Sequence, residues 1–234
     1  MSDAMLSVGG LHAGYGGVQV IDAITFEVAA GEVVALMGRN GAGKSTTIKA
    51  VMGLIARHGR IAFEGDDLTR LQPFQIARLG IGYVPEERRI FTDLTVRENL
   101  DVARRGGGQG AWDEARVFAL FPQLAAMANR QASAMSGGEQ QMLTIARTLM
   151  GNPRLILLDE PSEGVAPSVI EQIAAAVAQM KRAGVAILLS EQNMHFAAMV
   201  ADRALVLEQG RLVWHGAMAQ FMAEPELQRQ TLGL

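Results

Sequence analysis

Gly38, Gly43, Lys44 and Ser45 stand at the spacing of a phosphate-binding loop, in which glycine and four residues precede Gly-Lys-Ser. Glycines let such a loop curl until successive N–H groups converge on phosphate oxygens, and a following helix adds the positive end of its dipole. Within Gly38-Arg39-Asn40-Gly41-Ala42-Gly43-Lys44-Ser45-Thr46, the lysine is placed to reach the terminal phosphates and the Ser45 hydroxyl to ligate Mg2+. The chemistry expected is nucleoside triphosphate binding. A second pair, Asp159-Glu160, follows four apolar residues, Leu155-Ile156-Leu157-Leu158. There Asp159 would hold Mg2+ through its water shell, and Glu160 would accept a proton from an attacking water. A strand-end Asp-Glu is also a common loop cap, and the phosphate loop earlier in the chain favours catalysis. A third group, Ser136-Gly137-Gly138-Glu139, offers a hydroxyl, two uncrowded amides and a helix start. It reads either as a second anion site or as an ordinary helix N-cap by Ser136. One nucleotide needs one cradle, so a second would make sense across a dimer interface.

These residues require elements to position them. Residues 32–37 read as a buried strand and residues 46–52 as a helix, the flanks that a phosphate loop needs. Short strands are expected at residues 18–21, 24–28 and 59–65, with a turn at Ala30-Gly31. From about residue 95 to residue 134 the chain favours helix, broken by a glycine-rich loop at residues 104–110. A helix at about residues 138–150, a strand at 155–158, a helix at 167–183 and a strand at 185–189 complete an alternation that implies a parallel α/β sheet.

Together, the phosphate loop, Ser136-Gly137-Gly138-Glu139-Gln140-Gln141 and Leu155-Ile156-Leu157-Leu158-Asp159-Glu160-Pro161 resemble, in order and spacing, the nucleotide-binding subunits of ABC transporters. The resemblance implies an α/β P-loop NTPase fold of the ABC-ATPase kind. Its central sheet would be mixed or parallel, with an N-terminal antiparallel β subdomain and an inserted helical subdomain. It implies one domain over residues 1–234, with a catalytic lobe at about 1–94 and 151–234 and a helical lobe at about 95–150. It also implies a head-to-tail dimer that sandwiches two ATP molecules with Mg2+, and Tyr15 stacked on adenine. Read without the resemblance, Tyr15 is equally a core aromatic.

Three departures narrow the match. Glu86 follows Tyr83-Val84-Pro85 where the family usually has Gln, keeping an oxygen for Mg2+ or water but adding negative charge. Gln192 takes the place of the family's switch histidine, and His195 falls three residues later, on the next helix. Glutamine can bond a phosphate but cannot shuttle a proton at neutral pH, which puts that role on Glu160. Ala166 replaces the usual Asp before Pro167. With Arg88-Arg89-Ile90-Phe91, Glu191-Gln192-Asn193 and the closing Leu232-Gly233-Leu234, these features resemble the smaller ATPase of branched-chain amino-acid importers, with urea and short-chain amide importers close by. That branch implies a second homologous ATPase subunit, two membrane permeases and an extracytoplasmic solute-binding protein. The segment at residues 86–99 would be the permease contact. The bland reading of Arg88 and Arg89 is a solvated charge cluster.

Composition agrees. A net charge of −3 gives no sign of a nucleic-acid partner, and the absence of cysteine excludes disulfides and thiolate chemistry. Met1-Ser2-Asp3-Ala4-Met5 lacks the basic and apolar regions of a signal peptide, and no apolar run approaches the roughly 18 residues needed to span a bilayer. The expectation is a soluble chain, peripheral on the cytoplasmic face of the inner membrane. DNA-repair and translation members of the family carry coiled-coil insertions, zinc ligands or tandem cassettes, none of which is seen. A small-molecule kinase would leave Ser136-Gly137-Gly138 without a role.

Overall fold

The computed structural model describes residues 4–106 and 111–232. Met1 to Asp3, residues 107–110 of the glycine-rich loop, and the closing Gly233-Leu234 lie outside the described residues. β1 (Ala4–Tyr15) and β2 (Val18–Ala29) form a hairpin, followed by β3 (Val33–Met37) and α1 (Lys44–Val51). β4 (Ala56–Phe63), β5 (Asp66–Asp67), α2 (Pro73–Arg78) and β6 (Ile81–Val84) come next. The middle is helical: α3 (Val96–Ala103), α4 (Glu114–Leu120), α5 (Pro122–Ala126), a 3-10 turn (Ala132–Ala134) and α6 (Gly137–Leu149). β7 (Leu155–Asp159), α7 (Pro167–Arg182), β8 (Ala186–Glu191), α8 (Met194–Val200), β9 (Arg203–Glu208) and β10 (Arg211–Ala217) then alternate, closed by α9 (Met218–Met222) and α10 (Pro225–Leu232).

Two sheets organise the chain. The antiparallel one runs β2-β1-β4-β5, and the larger runs β10-β9-β3-β8-β7-β6, with β9 through β6 parallel and β10 antiparallel to β9. The period-2 alternation of the parallel strands feeds two separate cores. Val33, Ala35 and Met37 pack with Ile156, Leu158, Ile187 and the buried residues of α3, α6 and α7. Val34 and Leu36 pack with Leu155, Leu157, Leu188, α1 and the antiparallel sheet.

One strand expectation is corrected. Residues 18–21 and 24–28 are not two strands but the single β2, because a bulge absorbs the break. Between the pairs Leu11↔Ile24 and Ala13↔Ile21, three steps on β2 oppose two on β1, and Ala23 takes the left-handed φ of 53°. The bulge turns the Asp22 N–H out of the ladder onto the Gly210 carbonyl, at 2.8 Å.

Candidate nucleotide site

The phosphate loop leaves the buried C-terminal end of β3, where ligands gather in parallel α/β sheets. Gly38 and Gly43 hold φ values of 147° and 105° in places where no side chain fits: a Cβ on Gly38 would strike the Leu207 carbonyl, and one on Gly43 would lie 2.7 Å from Ile21 Cγ2. Gly41, at φ 79°, faces open space instead. The loop is braced from behind by the Gly210 N–H, which donates to the Ala42 carbonyl at 3.0 Å. α1 begins at Lys44 with no side chain capping its first turn, so its leading N–H groups are left for a ligand.

Lys44 is 3 % exposed and donates to the Gly38 and Arg39 carbonyls at 3.0 and 3.2 Å. Its Nζ also lies 3.2 Å from Glu160 Oε1. A cavity of about 350 Å3 opens here, lined by Asn40, Gly41, Gly43, Lys44, Ser45 and Thr46 on one side and by Glu86, Glu160 and Glu163 on the other. The structure thus brings together most of the residues expected from sequence. Gly38, Arg39 and Ala42 do not line the cavity, and the first two contribute carbonyls to Lys44.

Asp159 ends β7 with no exposure, its Oδ1 accepting the Ser190 hydroxyl at 2.6 Å and its Oδ2 that of Tyr83 at 3.4 Å. Burial pushes the Tyr83 phenol well above its ordinary value, so it remains a donor. Glu160 turns the chain sharply at φ 46°, its N–H donating to the Ser190 carbonyl at 3.1 Å. Glu163 shares a hydrogen bond with Glu160, and that bond, with burial and the Glu160 charge, pushes its carboxyl up to about 7. Glu86 is raised first by burial, then by the Glu160 and Asp159 charges. Gln192 donates from Nε2 to Asn40 Oδ1, joining the end of β8 to the phosphate loop. Among the described residues no cluster of three or more His, Cys, Asp or Glu side chains could hold a metal ion. The donor set of the Ser45 hydroxyl, Glu86 and a carboxylate buried behind them suits Mg2+, which keeps most of its water and takes nucleotide oxygens.

Two expected groups stand apart from the cavity. Tyr15 ends β1 at 46 % exposure, which removes the core-aromatic reading, and does not line the cavity. Ser136-Gly137-Gly138-Glu139 opens α6 elsewhere. The N-cap reading of Ser136 is present as a full capping box, its Oγ accepting the Glu139 N–H at 3.4 Å while Glu139 Oε2 accepts the Ser136 N–H at 2.6 Å. Gly138 is glycine for a packing reason, since a Cβ would lie 2.8 Å from Val169 Cγ2 on α7. Arg88 is not a free surface charge, for it donates to the Glu163 carbonyl at 3.3 Å, whereas Arg89 is exposed beside Glu87.

Sequence reasoning misses the supports. Ser190 and Tyr83 orient Asp159. Glu191, 2 % exposed, accepts the N–H groups of Ser162, Gln192 and Asn193 at 3.0–3.1 Å and so fixes both loops that border the cavity. The available signal is a Ser-Glu pair ending the apolar strand that lies between β3 and β7.

A braced phosphate loop on β3, a carboxylate pair on β7 and a polar side chain from β8 over the loop define a mononucleotide-binding ATPase of the cassette type. The chain belongs to the ABC transporter family, whose family model matches residues 21–163, and it is the ATP-hydrolysing subunit of such a transporter. It is 44 % identical over 235 residues to the high-affinity branched-chain amino acid transport ATP-binding protein BraG of Pseudomonas aeruginosa, covering 98 % of this chain and all of that one. The lipopolysaccharide export ATP-binding protein LptB of Escherichia coli is 34 % identical, with 98 % of each chain covered. Among solved structures, a nucleotide-free ATP-binding cassette from an ABC transporter matches at a TM-score of 0.81 with 26 % identity, covering 96 % of this chain and 97 % of that one. An ATP-binding cassette in its ADP conformation matches at 0.81 with 25 % identity over 97 % of both chains.

Proposed function

We propose that this subunit powers an importer of branched-chain or other hydrophobic amino acids from the cytoplasmic face of the membrane, paired head to tail with a second ATPase of the family. The observation that carries the paired site is the separation of two anion-binding groups. The phosphate loop, Glu86 and Glu160 line one cavity, with Gln192 tied to it through Asn40, while Ser136–Gly138 open α6 outside that lining, where the nucleotide of another subunit would meet them. The similarity to BraG supports the cargo, and it exceeds the similarity to LptB, an export subunit. Residues 95–150 form the lobe that presents Ser136–Glu139, and the rest forms the catalytic lobe.

Lys44, the Gly41–Thr46 amides and the α1 dipole bind the phosphates, and Tyr15 takes the adenine on its exposed face. Terminal phosphate oxygens compete with Glu160 for Lys44, which frees the carboxylate to take a proton from the attacking water. Gln192 donates to the terminal phosphate once it leaves Asn40. Ser45 and Glu86, with Asp159 acting through water, would hold Mg2+, which neutralises phosphate charge when bound.

A groove of about 420 Å3 on the far edge of the sheet suits the permease contact. It is lined by Gly82, Tyr83, Val102, Arg105 and Arg147, and Phe91 stands beside it, 47 % exposed with the Arg147 guanidinium 5.0 Å over its ring. Arg147 Nη1 is buried with no hydrogen-bond partner, a donor available to an incoming carbonyl or carboxylate. The contact proposed here extends beyond residues 86–99. The reading is tested with tagged Glu160→Gln chain, which should lose about 10²–10⁴-fold in turnover and retain ATP. Mild detergent extraction with ATP should recover two multi-span permeases and a second ATPase, whose binding protein is then screened for ligands. Recovery of soluble partners alone, or normal hydrolysis by the variant, overturns it.

A further inference from the structure

Arg88 joins three segments that the nucleotide chemistry needs. It follows Glu86 by two residues, in a loop where Arg88 and Arg89 both take left-handed φ values, 63° and 46°. Non-glycine residues rarely hold that conformation in succession, and here α6 holds it. The Thr144 hydroxyl donates to the Arg88 carbonyl at 2.8 Å, and Arg147 Nη2 donates to the Arg89 carbonyl at 2.7 Å. The Arg88 side chain then runs to the start of the same helix. Its guanidinium fills the space in front of Gly137, where an added Cβ would lie 2.5 Å from Nη1. It continues to the Glu163 carbonyl at 3.3 Å, beside Gly164, whose Cβ would lie 3.6 Å from Nη2. Among the described residues, Arg88 forms no ion pair with a carboxylate. Its charge is therefore not spent on a counterion, and its guanidinium occupies the space that a side chain at position 137 would enter.

We infer that Arg88 is a positioning residue that couples the two nucleotide sites of the paired ATPases. The inference rests on the paired-subunit reading above. In that arrangement Glu160 and Glu163 serve the subunit's own nucleotide, and Ser136–Gly138 serves its partner's. Arg88 touches both groups within one chain, so a shift of the loop after Glu160 is passed to the face that meets the other nucleotide. Guanidinium geometry suits this, since one planar fork packs against Gly137 and bonds the Glu163 carbonyl together, which an ammonium cannot do.

The test measures ATP turnover against ATP concentration for the chain purified in its membrane assembly, ATP binding to the chain alone, and Tm. Wild type should turn over cooperatively, with a Hill coefficient between 1 and about 2. Arg88→Gln should lower kcat about 10- to 100-fold and bring the Hill coefficient to about 1, while single-chain ATP affinity and Tm hold. Gly137→Ala displaces the same guanidinium, so it should reproduce that loss, and the double variant should be no worse than either single one. A cooperative wild type with Arg88→Gln equally cooperative overturns the inference alone. So do losses that multiply in the double variant, or a fall in ATP affinity that tracks a fall in Tm. A wild type without cooperativity, together with no ATP-dependent pairing of Glu160→Gln, overturns the paired-subunit reading and this inference with it.

Discussion

At the scale of single residues, Gln192 and Glu163 carry the differences that matter. Gln192 bonds Asn40 and cannot titrate, so position 192 adds no pH dependence to turnover where a histidine would add one. Gln192→His should keep most activity and add a dependence at about pH 6–7. A pH–rate profile that the substitution leaves unchanged removes Gln192 from the phosphate. Glu163 works in the opposite sense, because its proton is held by the bond to Glu160 up to about 7, against an ordinary 4.5. Between those values the folded chain binds more protons than the unfolded one, so this group's contribution to stability falls as pH rises through the window. Glu163→Gln removes the charge that appears at its upper end. The variant's Tm advantage over wild type should therefore grow between about pH 5 and about pH 8, and a constant difference refutes the shared proton. Both residues are visible in the sequence, but the bond between Glu160 and Glu163 is not. It depends on the left-handed turn at Glu160, which no residue type announces.

At the scale of elements, the loop from Pro85 to Thr95 is shaped by one buried amide. Asn99, on α3 with no exposure, accepts the Phe91 N–H at 2.9 Å and donates to the carbonyls of Phe91, Leu94 and Thr95. Asn99→Leu keeps the branched outline in a somewhat larger side chain and strands those groups, so it should destabilise the chain by about 1–3 kcal/mol, read by denaturant titration. The Phe91 amide should lose hydrogen-exchange protection in step, and a variant as stable as wild type would show that the loop is held otherwise. Elements of this kind were legible in proportion to their burial. β3, β7 and β8 are continuous apolar runs and declare themselves. β1 does not, because Gly9, Gly10 and Gly14 make it look like a loop, although a Cβ on Gly14 would strike the Val18 carbonyl of its own hairpin. The short β5, α2 and α9 carry too few residues for any period to show. The roles of Ser190, Tyr83 and Glu191 stayed hidden for another reason: their neighbours are set by the strand order β3-β8-β7-β6, not by the chain.

At the scale of the molecule, the nucleotide cavity and the Ser136 face are built from different residues of one chain and are joined through Arg88. Ser136→Glu places a carboxylate on the second face only, so ATP affinity of the single chain should hold while ATP-driven pairing of Glu160→Gln is lost. Light scattering after size exclusion reads the pairing, and a dimer that persists with Ser136→Glu refutes the sandwich. The first face is braced from behind. Its phosphate loop lies against the Leu207 carbonyl and accepts the Gly210 N–H, and the Gly210 carbonyl in turn accepts the Asp22 N–H from the β2 bulge. A cradle built before its ligand arrives loses little backbone freedom on binding. Capture of ATP by one chain should accordingly show a heat-capacity change near zero, and calorimetry should place the large negative value on the meeting of two loaded subunits. The surface buried at that meeting, and not the affinity of the loop, would then set the force delivered to the membrane.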